Sequence, residues 1–187
     1  MKKYQIIYAD PPWHFKVYSE KGHNERYRGC PYLVMSKDAI SKLPIKDLSD
    51  KNCALFLWAT YPNLLEAFEV IKNWEFHYKT VAFTWVKLNP KGIGYHFGLG
   101  YWTRANPEIC LLATRGSPKR INCSIPNLII SPRRAHSQKP DKVRERIVNL
   151  VGNLPRIELF ARQKTEGWDV WGNEVESDID LTNPKGG

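Results

Sequence analysis

The sequence predicts an α/β fold: a mostly parallel sheet with helices on both faces. Two observations carry this. Short apolar runs alternate with helix-like stretches, the pattern of repeated strand–helix–strand units. The run CALFLWAT (53–60) is apolar without alternation, as expected of a strand covered on both sides. In such sheets ligands bind beyond the C-terminal ends of the strands, so residues at those ends are the candidates for chemistry.

Taken in order, Gln5 to Asp10 reads as the first strand. It must stop at Asp10-Pro11-Pro12, because proline has no N–H to give the ladder. Residues 14–31 are polar, basic and aromatic without periodicity and read as a surface loop. Ser36 begins a short helix to about Leu43, with Pro44 just beyond. After the strand at 53–60, Pro62 opens a helix whose apolar residues are Leu64, Leu65, Phe68, Val70 and Ile71. Residues 75–88 form a strand rich in aromatic and branched side chains, and Asn89 to Arg104 is a long, glycine-rich mobile loop. Pro107–Thr114 and Leu128–Ile130 are further strands. Pro140 opens the clearest helix: Val143, Ile147, Leu150 and Val151 share one face, and Gly152 sits where a C-terminal cap belongs. Arg156–Ala161 and Trp168–Trp171 complete the sheet. Beyond Glu176 the sequence ESDIDLTNPKGG reads as a flexible tail (176–187), which leaves residues 1–175 as one domain.

Composition narrows the class. No apolar run approaches the length of a membrane span, and MKKYQIIYADPP lacks the apolar core of a signal peptide, so a cytoplasmic protein with no membrane partner is expected. Cys30, Cys53, Cys110 and Cys123 show no CxxC pairing and no histidine at ligand spacing, which predicts reduced thiols and no metal site. Lys and Arg number 28 against 19 Asp and Glu, a net charge of +9. The cations gather in two regions, Lys16 to Arg28 and Lys119 to Arg146, a field that attracts polyanions. Seven Trp and nine Tyr beside those cations suit unstacked bases, so nucleic acid is the expected partner.

The chemistry points to Asp10-Pro11-Pro12-Trp13, at the end of the first strand. By chance this tetrapeptide occurs in about one such chain per few thousand. A carboxylate and a rigid backbone carbonyl can accept both N–H bonds of an exocyclic amine, pyramidalise its nitrogen and free a lone pair otherwise delocalised into a base. Asp10 supplies the carboxylate. Pro11 supplies the carbonyl, with φ fixed by the paired rings, and Trp13 supplies an apolar face for the base.

Around this motif the chain resembles the N6-adenine methyltransferase family of the MT-A-seventy type. That family contains the eukaryotic messenger-RNA adenosine methyltransferase and a bacterial and phage DNA adenine branch. The similar stretches are YADPPW (8–13), YLVMS (32–36), LFLWAT (55–60), WVKLNP (85–90), GYWTRANPEICLLATRG (100–116), SQKPDKV (137–143), RIELFAR (156–162) and GWDVWGNE (167–174). The resemblance implies a Rossmann-like class I fold in permuted order, with the catalytic strand before the cofactor-binding strand, and S-adenosylmethionine as cofactor. It implies that Asp10 lies between target amine and donor and that Lys139 neutralises the methionine carboxylate. Phe160 and Arg162 flank the cofactor, and Asn173 and Glu174 hold its ribose hydroxyls. Tyr32, Trp58, Trp85 and Glu108 are candidates for the substrate pocket. DNA is the preferred substrate and RNA the alternative, in a bacterial or phage-infected cell. A homodimer or a related partner subunit is also expected. Two other readings are a non-catalytic nucleic-acid-binding subunit and methylation of the N4 amine of cytosine.

Overall fold

The computed structural model describes residues 2–14, 35–134 and 138–181. The elements are β1 (Tyr4–Ala9), α1 (Lys37–Ser41), α2 (Ile45–Leu48), β2 (Ser49–Ala59), α3 (Leu64–Asn73), β3 (His77–Leu88), β4 (Glu108–Arg115), β5 (Leu128–Pro132), α4 (Lys142–Val151), β6 (Arg156–Leu159) and β7 (Asp169–Trp171). Among these residues the strands form one seven-stranded mixed sheet, in the order β5-β3-β4-β2-β1-β6-β7. β1 pairs in parallel with β2 and β6, β6 with β7, and β3 with β5, whereas β4 runs antiparallel to both β2 and β3. The sheet is therefore mostly parallel, as expected, with one reversed strand. The reason is local: β3 returns into β4 through residues 89–107 without a crossover helix, and neighbours joined that way run antiparallel.

Both faces of the central strands are buried, which is why their sequences are apolar without alternation. Ile7, Leu55 and Leu57 pack under α1–α3 with Ile40, Leu48, Val70 and Trp74. Ile6, Tyr8, Phe56 and Trp58 point the other way, toward Val143, Ile147 and Val151 of α4. The Ser36 hydroxyl accepts from the Ala39 N–H and caps α1. A 3-10 turn at Tyr61–Asn63, with Pro62 in it, leads into α3.

The buried face of α3 is Ala67, Val70 and Ile71, while Leu65 is 79% exposed. At 100° per residue, positions 67, 70 and 71 share a face that 65 does not, so counting apolar residues misplaced the stripe. The C-terminal expectation is corrected for residues 177–181. Leu181 is buried, and the Asp178 carboxylate accepts the Val170 N–H at 2.8 Å, which docks this stretch on β7. Most of the loop expected at 14–31 lies outside the described residues. Among the described residues no helix is long and apolar enough to cross a membrane.

Cys53 and Cys110 are buried free thiols, and Cys123 is an exposed one. Burial pushes the Cys53 thiol up to about 12 and the Cys110 thiol well above its usual range. With Cys30 replaced by Ser, a thiol-disulfide exchange reagent at neutral pH should therefore titrate Cys123 alone. The other two should react only in denaturant.

Candidate active site

Strand register assembles the site. Ala9, Leu159 and Trp171 are partners across β1, β6 and β7, so Asp10, Phe160 and Gly172 emerge side by side at one sheet edge. β4 runs the other way and begins at that edge, with Glu108 opposite Trp85 of β3. Side chains alternate along a strand. Tyr8 and Asp10, Trp85 and Lys87, Trp58 and Glu108 therefore all face α4. The segment entering α4 lays Lys139 across them.

The result is a chain of four charges, Lys139 and Glu108 buried and Asp10 and Lys87 partly so. The Lys139 ammonium donates to Asp10 Oδ1 at 2.8 Å and Oδ2 at 2.7 Å, and lies 3.1 Å from Glu108 Oε2. Lys87 donates to the other oxygen of Glu108. The Lys139 side chain is 7% exposed and that of Glu108 10%. Burial works against the Glu108 charge, but Lys139 and Lys87 outweigh it and hold its carboxyl below the usual range. Burial also opposes the Lys139 charge, and Asp10 and Glu108 together keep it protonated, above the ordinary lysine value. Among the described residues the ammonium bonded to Asp10 is that of Lys139. Burial pushes its carboxyl up, Lys139 pulls it down, and Glu108 adds to the rise, so the net direction is upward.

Aromatic rings floor the charges. Lys139 Nζ sits 5.3 Å from the Trp58 ring centre and Lys87 Nζ 5.2 Å from that of Trp85. Each ring is 1% exposed. Trp58 and Trp85, expected in a substrate pocket, are buried here and support the ammonium groups from below. Trp58 Nε1 donates to Tyr8 Oη and Trp85 Nε1 to Ser131 Oγ, which fixes both indoles. Trp13 remains partly exposed, held by its Nε1 donating to the Trp58 carbonyl at 2.8 Å. The Pro11 carbonyl accepts the Trp13 N–H at 2.8 Å and the Pro12 carbonyl the Met35 N–H at 3.1 Å.

At the neighbouring strand ends, Phe160 holds φ 61° and packs edge-on against Trp171, with ring centres 5.3 Å apart. Arg162 Nε lies 3.5 Å from Glu174 Oε1, and its charge reaches Asp10. Asn173 and Glu174 are exposed in the turn after β7. A Cβ on Gly172 would come within 2.1 Å of the Ala161 carbonyl oxygen, so only glycine lets β6 and β7 end this close together. A second buried pair braces the site. Arg144 of α4 grips both oxygens of Glu158 on β6 at 2.7 Å, with its guanidinium 5.7 Å from the Tyr8 ring centre.

Asp10, Glu108 and Lys139 thus converge, Trp13 is tied to the end of β2 through the Trp58 carbonyl, and Phe160, Arg162, Asn173 and Glu174 follow the adjacent strand ends. Tyr32 lies outside the described residues. Lys87 is the member that sequence reasoning missed. Its signal was the two-residue period from Trp85 within WVKLNP, which needed the β3–β4 pairing to acquire meaning.

Removing one partner of a buried ion pair costs about 3–5 kcal/mol. Glu108→Ala should lower stability in urea unfolding by about that much, since it leaves Lys87 and Lys139 facing each other. Glu75→Ala, in a half-exposed pair with Lys46, should move it little.

The model of the MT-A70 family matches residues 4–174. The Type II methyltransferase M.MunI of a Mycoplasma species is 32% identical, over 93% of this chain and 78% of that protein. The N(6)-adenosine-methyltransferase MT-A70-like protein of Drosophila melanogaster is 29% identical over 98% of this chain, and the human N(6)-adenine-specific methyltransferase METTL4 is 30% identical over 93%. The chain spans 28% of the fly protein's length and 38% of the human one's. This chain belongs to the MT-A70 family.

Proposed function

We propose that the chain transfers a methyl group from S-adenosylmethionine to the N6 amine of adenine in DNA, with Asp10 to Trp13 as the clamp on the base. The observation that carries this reading is the Asp10 carboxylate, set at the end of β1, backed by Lys139 and flanked by the partly exposed Trp13. Membership of the family and the adenine or adenosine named for its relatives support the choice of base. DNA is favoured over RNA because the likeness to the Mycoplasma type II methyltransferase, at 32% identity, runs over 78% of that protein. The domain then runs over residues 1–175, with residues 177–181 docked against its β7. It is a Rossmann-like class I core in permuted order, the catalytic β1 preceding β6 in sequence and lying parallel beside it.

The target amine needs two acceptors. Asp10 supplies one: each carboxylate oxygen has two lone pairs, so the bonds from Lys139 leave capacity. The Pro11 carbonyl, already accepting from Trp13, has a second lone pair for the other N–H. Trp13 holds the base by its face. A base taken from a duplex must first leave its stack, at a few kcal/mol.

The donor set fits S-adenosylmethionine: a buried ammonium stands at one strand end, and a carboxylate and an amide are exposed two strands away. Lys139 would hold the methionine carboxylate, exchanging part of its bond to Asp10 or Glu108. Phe160 and Arg162 would flank the cofactor, and Asn173 and Glu174 would take the ribose hydroxyls. When bound, the cofactor supplies a methyl carbon already activated by its sulfonium. The protein's share is then alignment, which in well-oriented systems contributes roughly 7–11 kcal/mol.

Tritiated methyl transfer to single-stranded DNA, duplex DNA and RNA, followed by nucleoside analysis, tests the reading. N6-methyladenine should appear, with DNA preferred, and Asp10→Ala should abolish it. Full turnover by that variant would sink the assignment. Asp10 must be ionised to accept the amine, and its pKa is raised, so acidification removes the acceptor early. kcat/KM should fall as pH drops, with a midpoint above the value of about 3.9 for an ordinary aspartate.

A further inference from the structure

The segment between β3 and β4 shows six large apolar side chains to solvent within ten residues. Ile93 is exposed, as are Tyr95, Phe97, Leu99, Tyr101 and Trp102, the last at 80%. The sequence suggests a mobile loop here, yet the backbone is held at many points. Asn106, itself buried, bonds both the N–H and the carbonyl of Lys87 and also the His96 carbonyl. Arg104 donates to the Phe97 and Gly98 carbonyls, both at 2.9 Å. Leu88 bridges Tyr95, and Gly98 bridges Ala105. Contiguous apolar display on a held backbone marks an interaction surface.

Its place and charge indicate the occupant. The loop leaves β3 one residue after Lys87 and re-enters the sheet at Glu108, so its ends join the buried ion chain beside Asp10. Residues 88–107 contain Lys91 and Arg104 and no Asp or Glu. The Arg133 N–H donates to the Leu88 carbonyl at 3.1 Å, which adds a third cation at the loop's base. Two copies meeting through this face would oppose like charges with no acid from the loop to pair them. A polyanion whose subunits carry flat apolar faces meets both features.

We propose that residues 89–107 form a base-stacking platform. Tyr95, Phe97, Tyr101 and Trp102 take unpaired bases of the strand next to the target adenine, and Lys91, Arg104 and Arg133 face its phosphates. The inference rests on the nucleic-acid methyltransferase reading and deepens it, naming an opened or single strand as the form bound.

The test is donor-free binding, by fluorescence anisotropy, of single-stranded DNA of about 12 nucleotides and of an abasic strand of equal length. The wild-type chain should prefer the base-bearing strand, and Trp102→Ala and Phe97→Ala should each weaken it on the order of tenfold. The same substitutions should leave abasic binding and the melting temperature unchanged, and the exposed Leu65→Ala on α3 should alter none of these readings. Equal affinity of the wild type for both strands would overturn the proposal. So would a wild-type dimer in sedimentation that the variants convert to monomer without loss of oligonucleotide affinity. If stacking is present and methyl transfer absent, the catalytic reading falls and the platform stands.

Discussion

Lys139 lies between two carboxylates in a place with little water. Desolvating an ammonium is expensive, and it stays charged because Asp10 and Glu108 together outweigh burial. Glu108 in turn stays charged because Lys139 and, on its far side, Lys87 together outweigh its burial. The four groups form an alternating row, neutral overall, in which each member makes its neighbours tolerable. The acceptor at the end of β1 owes its position to that row, because a lone aspartate at the rim would be free to turn away. The indoles of Trp58 and Trp85 close the row from below.

The row needs the reversed strand. Were β4 parallel to its neighbours, its first residue would lie at the opposite edge of the sheet and Glu108 would be far from Asp10. Joining β3 to β4 without a helix places both Lys87 and Glu108 at the strand ends where ligands bind in such sheets. It also leaves the long connection on the rim of the site, where an ordered aromatic surface is useful to an enzyme that must find one base in a polymer.

Much of this was legible in the residues. The unbroken apolar runs of β1 and β2 announce strands with two covered faces, Pro11 and Pro12 fix where β1 ends, and the spacing of Val143, Ile147 and Val151 gives α4 its buried side. Asp10, Trp13 and Lys139 stood out through their motif. What stayed hidden depends on pairing between distant segments. The burial of Trp58 and Trp85, the membership of Lys87 and the partners of Glu108 all follow from β4 lying between β2 and β3, and no local pattern encodes that. The docking of Leu181 was hidden likewise, because one apolar residue in an acidic tail carries no period.

The Arg144–Glu158 pair has a mechanical meaning. It fastens α4 to β6, with Tyr8 of β1 against the same guanidinium. The turn carrying Lys139 and the strand end carrying Phe160 are therefore parts of one frame. A thermal displacement of the helix shifts both sides together, so the gap between the Lys139 turn and the Phe160 strand end keeps its width.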